Sequence, residues 1–223
     1  MADKGDLVTK SAAFITVEGG EGVGKSSFCS GLARQLNTYG LEVLETGEPG
    51  GSQLGKAVRS LFLEPPGGEP LETLTELFLV SAARSQHVLG PIKNALEKGS
   101  FVICDRFYDS TRVYQGHLGG VEPSHLEHVI SASVGDMAPG VTFLLDCDTQ
   151  VVMERLASRE SVKAPNRFDK APLSYHKKLR EGFLEVAKTF SERFEILDAS
   201  QKPEAIVLQA IERLYKRGLL ADK

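Results

Sequence analysis

Residues 18–27 read EGGEGVGKSS, a glycine-rich stretch that lies between an apolar run and an amphipathic segment. Gly19 is followed by four residues and then by Gly24, Lys25 and Ser26, the spacing of a phosphate-binding loop. Glycines let backbone N–H groups wrap phosphates, and the helix that follows points its positive end at them. We therefore expect a bound nucleoside triphosphate, with Lys25 on its β- and γ-phosphates and the Ser26 hydroxyl on Mg²⁺.

The pattern around this loop predicts an α/β fold. Segments with helical periodicity follow the phosphate loop up to Gly40, span about 69–89, and lie at 173–193 and after Pro203; a further turn opens at Pro91. Strands that alternate with helices form a parallel sheet covered on both faces. We predict three layers, with a five-stranded parallel sheet flanked by helices. The strands are expected in the apolar runs 13–18, 41–47, 100–105, 141–146 and 194–199.

Composition limits the size and class of the protein. A chain of 223 residues with 41% hydrophobic residues can bury a sizeable core as one domain. We expect this domain at 13–217, after a disordered lead-in at 1–12 and before a tail at 218–223. The net charge of −4 argues against a nucleic-acid binder, which usually presents a basic face.

Cysteine usage and apolar runs indicate a compartment. Cys29, Cys104 and Cys147 are far apart and sit in apolar surroundings, as expected of buried thiols in a reducing cytosol. No apolar run reaches the roughly 18 residues that span a bilayer, and the opening MADKGDLVTKS lacks the apolar centre of a signal peptide. The sequence therefore predicts a cytoplasmic protein without a membrane partner.

A carboxylate is expected beside the phosphate loop. The run FVICDRF (101–107) ends a predicted strand with Asp105 and Arg106. Open parallel sheets deliver functional side chains at the carboxyl ends of their strands. Asp105 is therefore expected to support Mg²⁺ together with Ser26.

Arginines suggest a second phosphate. Arginine suits phosphate because its planar fork makes two parallel charge-assisted hydrogen bonds. A basic segment at 154–170, between two helices, fits a lid that excludes water from phosphoryl transfer. A phosphate acceptor needs little help from a general base, since a monoester is largely dianionic near pH 7. The arginines in or near the loops at this end of the sheet are Arg59, Arg84, Arg106, Arg155, Arg159 and Arg167.

From about residue 14 to 214 the chain resembles the bacterial thymidylate kinases, within the P-loop nucleoside monophosphate kinase group. The resemblance is carried by EGGEGVGKSS (18–27), EPGGSQLGKAVR (48–59), SAARSQHV (81–88), CDRFYDSTRVYQG (104–116) and NRFD (166–169). It implies a P-loop kinase architecture with an arginine-containing lid. It also implies ATP-dependent phosphorylation of dTMP to dTDP on the way to dTTP, with Mg²⁺, in a homodimer.

The resemblance also implies roles for individual residues. The catalytic cations would be Lys25, Arg106, Arg159 and Arg167, and Mg²⁺ would lie on Ser26 and Asp105. Glu21 would face the sugar of the acceptor, and Arg159 would lie near adenine. ATP would contact Gly19, Gly20, Glu21, Gly22, Val23, Gly24, Lys25, Ser26, Ser27, Arg159, Ala199 and Ser200. The acceptor dTMP would contact Glu21, Glu48, Pro49, Arg59, Val80, Arg84, Arg106, Ser110, Tyr114 and Gln115.

Three positions depart from the family pattern. Gly47 stands where an arginine is usual, and Val80 stands where an aromatic usually stacks on thymine. Between Arg159 and Arg167 the one basic residue is Lys163, where relatives often have another arginine.

Two other interpretations of the sequence stay open. One is a kinase for another nucleoside monophosphate or a nucleoside, and the other is a P-loop switch, although the chain lacks the N-K-x-D motif of GTPase switches.

Overall fold

The computed structural model describes residues 13–159 and 167–220, with only the backbone of Arg159. The lead-in at 1–12, the middle of the expected lid at 160–166 and the last three residues lie outside the described residues. All five strands form where apolar runs predict them. They are β1 (Phe14–Glu18), β2 (Val43–Gly47), β3 (Phe101–Asp105), β4 (Val141–Asp146) and β5 (Phe194–Asp198).

The strands form one parallel sheet in the order β2-β3-β1-β4-β5. The central strand β1 pairs with β3 through Thr16 and Cys104 and with β4 through Ile15 and Val141. Because all strands run the same way, their carboxyl ends meet at one edge of the sheet. This edge carries both the phosphate loop, which follows β1, and Asp105, the last residue of β3. The predicted sheet is confirmed.

Helices cover both faces of the sheet, as predicted. The residues that start several of them are good helix starts, such as Pro123 and Pro203 at the first helical position. The helices are α1 (Lys25–Thr38), α2 (Gln53–Leu63), α3 (Thr73–His87), α4 (Lys93–Glu97), α5 (Tyr108–Thr111), α6 (Pro123–Val134), α7 (Thr149–Arg159), α8 (Leu173–Thr189) and α9 (Pro203–Lys216).

The helix bounds predicted around Pro70 and Pro91 were wrong. The segment expected from 69 starts only at Thr73, because Pro70 disfavours a helical conformation in the residue before it. At the other end, Pro91 does not open a separate turn. A π-helical turn (Val88–Ile92) contains Pro91 and connects α3 to α4 without a break. The wider turn accommodates the missing N–H of proline.

Two apolar layers lie on opposite faces of the sheet because successive side chains of a strand point to opposite sides. Ile15 and Val17 of β1 pack with α1 and α9 through residues such as Leu32 and Ile211. Phe14 of the same strand packs on the other face with residues of α3 and α6, including Leu77. Leu220, in the segment expected as a tail, is buried in the first layer. No helix among the described residues is long and apolar enough to cross a membrane.

Candidate active site

The phosphate loop connects β1 to α1 through backbone conformations that need glycine. Gly24, at the start of α1, has φ of 96° and Gly22 has φ of 73°. Gly19 has φ of 138°, and a Cβ placed on it would lie 2.6 Å from the backbone oxygen of Leu145. Since that neighbour is backbone of the adjacent strand β4, nothing larger than glycine fits. The loop therefore packs closely against the end of β4 and leads into α1.

Lys25 is the first residue of α1, and its side chain reaches back to the phosphate loop. Its ammonium group is buried and donates to the carbonyl oxygen of Gly20 at 2.5 Å. Burial, and then the nearby charge of Arg106, lower the pKa of Lys25 to about 8. A buried cation with one backbone partner is a suitable ligand for phosphate oxygens, which would supply the solvation that burial removed.

Ser26 and Asp105 meet across the edge of the sheet. The Ser26 hydroxyl donates to Oδ2 of Asp105 at 2.8 Å. The two residues predicted to hold Mg²⁺ therefore lie side by side, and a hydroxyl with a carboxylate is an oxygen donor set that suits Mg²⁺. Within 13–159 and 167–220, no three His, Cys, Asp or Glu side chains are grouped as a self-sufficient metal site. An ion here would need phosphate oxygens and water to complete its shell.

Arg106 connects the phosphate loop to the opposite side of the cleft. Its Nη1 donates to the carbonyl of Gly19 at 2.9 Å, and its Nη2 donates to Glu21 at 2.8 Å. Among the described residues it is the one non-glycine residue with positive φ, at 67°. Such a backbone persists only where the surroundings hold it, and it is often found at functional sites.

Glu21 is directed towards Arg106 and Tyr114. Its Oε1 accepts from Arg106 and also from the Tyr114 hydroxyl at 2.6 Å, while Oε2 is buried without a partner among the described residues. Burial alone would raise the pKa of Glu21, but the charges of Arg106 and Lys25 outweigh it and hold the pKa below its usual value. The acidic residue therefore faces the far side of the cleft with an oxygen still able to accept a hydrogen bond.

Glu18, which the sequence did not single out, supports this arrangement from the end of β1. Its carboxyl accepts from the N–H of Phe107 at 2.8 Å and from the Ser110 hydroxyl at 2.6 Å. Burial first, and the neighbouring Asp109 second, raise the pKa of Glu18 to about 7. Because Ser110 also accepts from Arg106, Glu18 helps to fix the arginine.

A buried network holds Arg84. Its Nε donates to Glu48 at 2.8 Å and its Nη2 donates to Thr111 at 2.9 Å. His87 completes the network with Nδ1 3.0 Å from Glu48 and Nε2 2.7 Å from Thr46. The third nitrogen of Arg84, Nη1, is buried without a partner among the described residues. Arg84 thus offers one free donor, and His87 is a second residue that the sequence did not assign to the site.

Arg167 contacts α3 through Glu76, about two turns before Arg84. It forms a close ion pair with Oε1 of Glu76, whose Oε2 accepts from the amide nitrogen of Gln115 at 3.0 Å. Its guanidinium also stacks on Phe168, 4.4 Å from the ring centre. In this conformation the arginine contacts α2 and α3 rather than the phosphate loop. The side chain of Arg159, the other expected lid cation, lies outside the described residues.

One cavity of about 750 Å³ extends from the phosphate loop to Arg84 and Gln115. Arg155 lines it and donates to the backbone oxygen of Ala199 at 2.9 Å, whereas Ala199, Ser200 and Arg167 do not line it. Gly19, Gly20 and Val23 line a smaller cavity behind the loop. Phe62, Thr111, Phe168 and Asp169 line the large cavity without having been expected there. Expected residues in its wall are Glu21, Gly22, Gly24, Lys25, Ser26, Ser27, Glu48, Pro49, Arg59, Val80, Arg84, Asp105, Arg106, Ser110, Tyr114 and Gln115.

Comparisons with known proteins give a consistent result. The family model described as thymidylate kinase matches residues 17–211. The thymidylate kinase of Nitrobacter winogradskyi is 41% identical, over 94% of this chain and 90% of that protein. The thymidylate kinase of Chlamydia muridarum is 43% identical, over 89% and 96%. The crystal structure of thymidylate kinase from Ehrlichia chaffeensis has a TM-score of 0.73 at 29% identity, covering 92% of this chain and 99% of that one.

Proposed function

The chain belongs to the thymidylate kinase family, and from this premise we propose that it transfers the terminal phosphoryl group of ATP to dTMP. An oxygen of the dTMP phosphate forms a bond to the γ-phosphorus, and the bond from that phosphorus to the β,γ-bridging oxygen breaks. The products are dTDP and ADP. The observation that carries the proposal is the single cavity that joins the phosphate loop to the Arg106 and Arg84 side of the cleft.

The donor is assigned to the phosphate loop. Lys25 binds the β- and γ-phosphates, and the loop's N–H groups cradle them at the start of α1. When bound on Ser26 and Asp105, Mg²⁺ supplies positive charge to the phosphate oxygens.

The acceptor is assigned to the other side of the cavity. Arg106 and Arg59 hold the dTMP phosphate, and Arg106 lies close enough to the phosphate loop to contact the transferred group. Glu21 accepts a hydrogen bond from the sugar with its unpartnered oxygen. Arg84 and Gln115 read the base, with Val80, Tyr114 and Phe168 as apolar wall. Arg159 and Arg167 are assigned to the charge that develops on the transferred phosphoryl group.

We further propose a homodimer in the cytoplasm. Leu74 and Phe78 lie one turn apart on α3 with 51% and 55% of their surface exposed, and Leu89 is 68% exposed just beyond. A second copy of the chain would cover this apolar face. The three described cysteines are buried free thiols, which suits a reducing compartment.

A comparison of several phosphate acceptors tests the proposed reaction. With ATP and Mg²⁺, phosphorylation of dTMP should exceed that of dCMP, dGMP, AMP and thymidine. The readout is kcat/KM from nucleoside diphosphate formed, with ADP release alone as the control for hydrolysis. A preference for another acceptor would reassign the enzyme to a different nucleotide, and ADP release that no acceptor stimulates would indicate a nucleotide switch.

A further inference from the structure

We propose that Glu76 is a positioning residue that fixes the orientation of the Gln115 amide and so selects acceptor bases carrying a ring N–H. The inference rests on the proposed function and deepens it. Glu76 belongs to α3 and Gln115 to the π-helical segment Arg112–Leu118, so the contact joins two elements that wall the acceptor side. Gln115 is buried and lines the cavity, whereas Glu76 does not line it.

The first step is the chemistry of the amide. A glutamine side chain carries an NH₂ donor at one end and a carbonyl acceptor at the other, and rotation by half a turn exchanges them. An ionised carboxylate only accepts hydrogen bonds. Because Gln115 is 3.0 Å from Glu76, its NH₂ must be the end that faces the carboxylate. The carbonyl oxygen of Gln115 is then the end presented to the cavity.

The second step is what holds Glu76. Its other oxygen is ion-paired with Arg167, and the side chain of Glu76 is 13% exposed. Arg167 can only donate hydrogen bonds, and it is itself stacked between Phe62 and Phe168. The carboxylate is therefore fixed between two donors. The two partners cannot both be satisfied if Glu76 is replaced by a group that offers a donor on one side.

The third step is the pattern offered to a base. Arg84 and Gln115 line the same cavity, and Nη1 of Arg84 is a buried donor that has no partner among the described residues. A donor beside an acceptor matches an imide edge, where a ring carbonyl lies next to a ring N–H. Thymine and uracil have this edge, while cytosine carries an amino group beside an unprotonated nitrogen. Cytosine is thus mismatched at both positions. Arg84 and Gln115 do not distinguish thymine from uracil, which share this edge.

Three substitutions test this inference. In Glu76→Gln, Arg167 claims the single acceptor oxygen, so the new NH₂ faces Gln115 and turns the Gln115 amide around. In Glu76→Met, no polar group faces Gln115, and the amide can still adopt the orientation that thymine requires. Glu72→Gln makes the same chemical change at an exposed position just before α3 and is the matched control.

The measurement is kcat/KM for dTMP and for dCMP with saturating ATP, together with KM for ATP. We expect Glu76→Gln to lower the dTMP-to-dCMP ratio by about 10- to 100-fold, since a buried polar group is then opposed by a like group. Glu76→Met should lower it less, and Glu72→Gln should leave it unchanged. KM for ATP should stay within about twofold in all three, because the contacts of Glu76 go to Gln115 and Arg167 and not to the phosphate loop. An effect of the released Arg167 on phosphoryl transfer would act on both acceptors alike and cancel in the ratio.

The order of the two Glu76 variants in the dTMP-to-dCMP ratio distinguishes a positioning role of Glu76 from a merely structural one. A structural role predicts that Glu76→Met, the less conservative change, is the more damaging one, with lower thermal stability and an unchanged ratio. That result, or an unchanged ratio in Glu76→Gln while the wild-type enzyme prefers dTMP, overturns the inference and leaves the proposed function intact. Failure of the wild-type enzyme to prefer dTMP to dCMP overturns both.

Discussion

Arg106 combines an unusual backbone conformation with two contacts to the phosphate loop. It leaves β3 with a positive φ, contacts the phosphate loop through Gly19 and is ion-paired with Glu21. Gly19 and Glu21 of the phosphate loop and Ser110 of α5 hold the guanidinium, and these contacts offset the roughly 1–3 kcal/mol that such a backbone costs. An arginine held in this way needs little rearrangement to bind a phosphate, because its orientation is set before the nucleotide arrives.

Glu18 should make the stability of the fold depend on pH. Its pKa in the folded protein is raised from 4.5 to about 7, so the folded state binds a proton more tightly than the unfolded chain. This contribution is fully present below pH 4.5 and is lost as the pH rises through 7. In Glu18→Gln it is absent, so the stability difference between variant and wild type should change by about 2–3 kcal/mol between pH 5 and pH 8.

Urea unfolding at the two pH values measures this difference. The wild-type protein should lose stability relative to Glu18→Gln as the pH rises. Glu97→Gln, which alters an exposed carboxylate, should follow the wild type and serves as the control. The same stability difference at pH 5 and pH 8 would show that Glu18 titrates as an ordinary carboxyl.

The sequence located individual residues where a short local motif marks their position. The phosphate loop and the Asp105–Arg106 pair were identified because strand ends and glycine spacing locate them. The contact of Glu48 with His87 joins residues 39 positions apart, and that of Glu18 with Ser110 spans 92. Neither has a local signal, since each depends on how separate elements pack.

At the scale of elements, the loop between β2 and α2 leaves no room for a side chain at Gly51. A Cβ on Gly51 would lie 2.0 Å from Nε2 of His87 and 2.4 Å from the Thr46 hydroxyl. Gly51→Ala should therefore push these side chains apart and disturb Glu48 and Arg84. We expect a loss of about 1–3 kcal/mol in unfolding free energy and a higher KM for dTMP, with less change in KM for ATP.

Thermal unfolding and steady-state kinetics check this expectation. Gly90→Ala is the matched control, because its Cβ would meet only the end of Gln86 at 3.9 Å. It should be neutral or slightly stabilising. Wild-type stability in Gly51→Ala would mean that the loop can move away, and that the network around Glu48 is not held by it.

Elements were predicted well where one physical rule acts alone. The inner strands β1, β3 and β4 are buried along most of their length and read as continuous apolar runs. The edge strands β2 and β5 are partly exposed, and their shorter apolar runs were still sufficient to locate them. The course of α3 was misjudged at Pro91 because local rules treat proline as a break, whereas packing of the flanking Val88 and Ile92 in the core keeps the chain helical. Tertiary packing overrode the preference of proline to end a helix, and the sequence near Pro91 gives no local signal of this packing.

At the scale of the whole molecule, the exposed face of α3 predicts the assembly. Replacing Phe78 by glutamate places charge at the centre of the apolar face, so Phe78→Glu should be monomeric where the wild type is dimeric. Sedimentation velocity at micromolar concentration measures the difference. Leu208→Glu changes a residue of α9 that is 61% exposed and should remain dimeric. A monomeric wild type, or a dimeric Phe78→Glu, would reject this interface.

The central claim is that one cavity holds both nucleotides with their phosphates facing each other. The most direct measurement uses a dinucleotide in which adenosine and deoxythymidine are joined through a chain of phosphates, assayed as an inhibitor with Mg²⁺. We predict one molecule bound per chain, more tightly than either nucleotide alone, and competition with both ATP and dTMP. Competition with ATP alone, or binding no tighter than that of ATP, would contradict it.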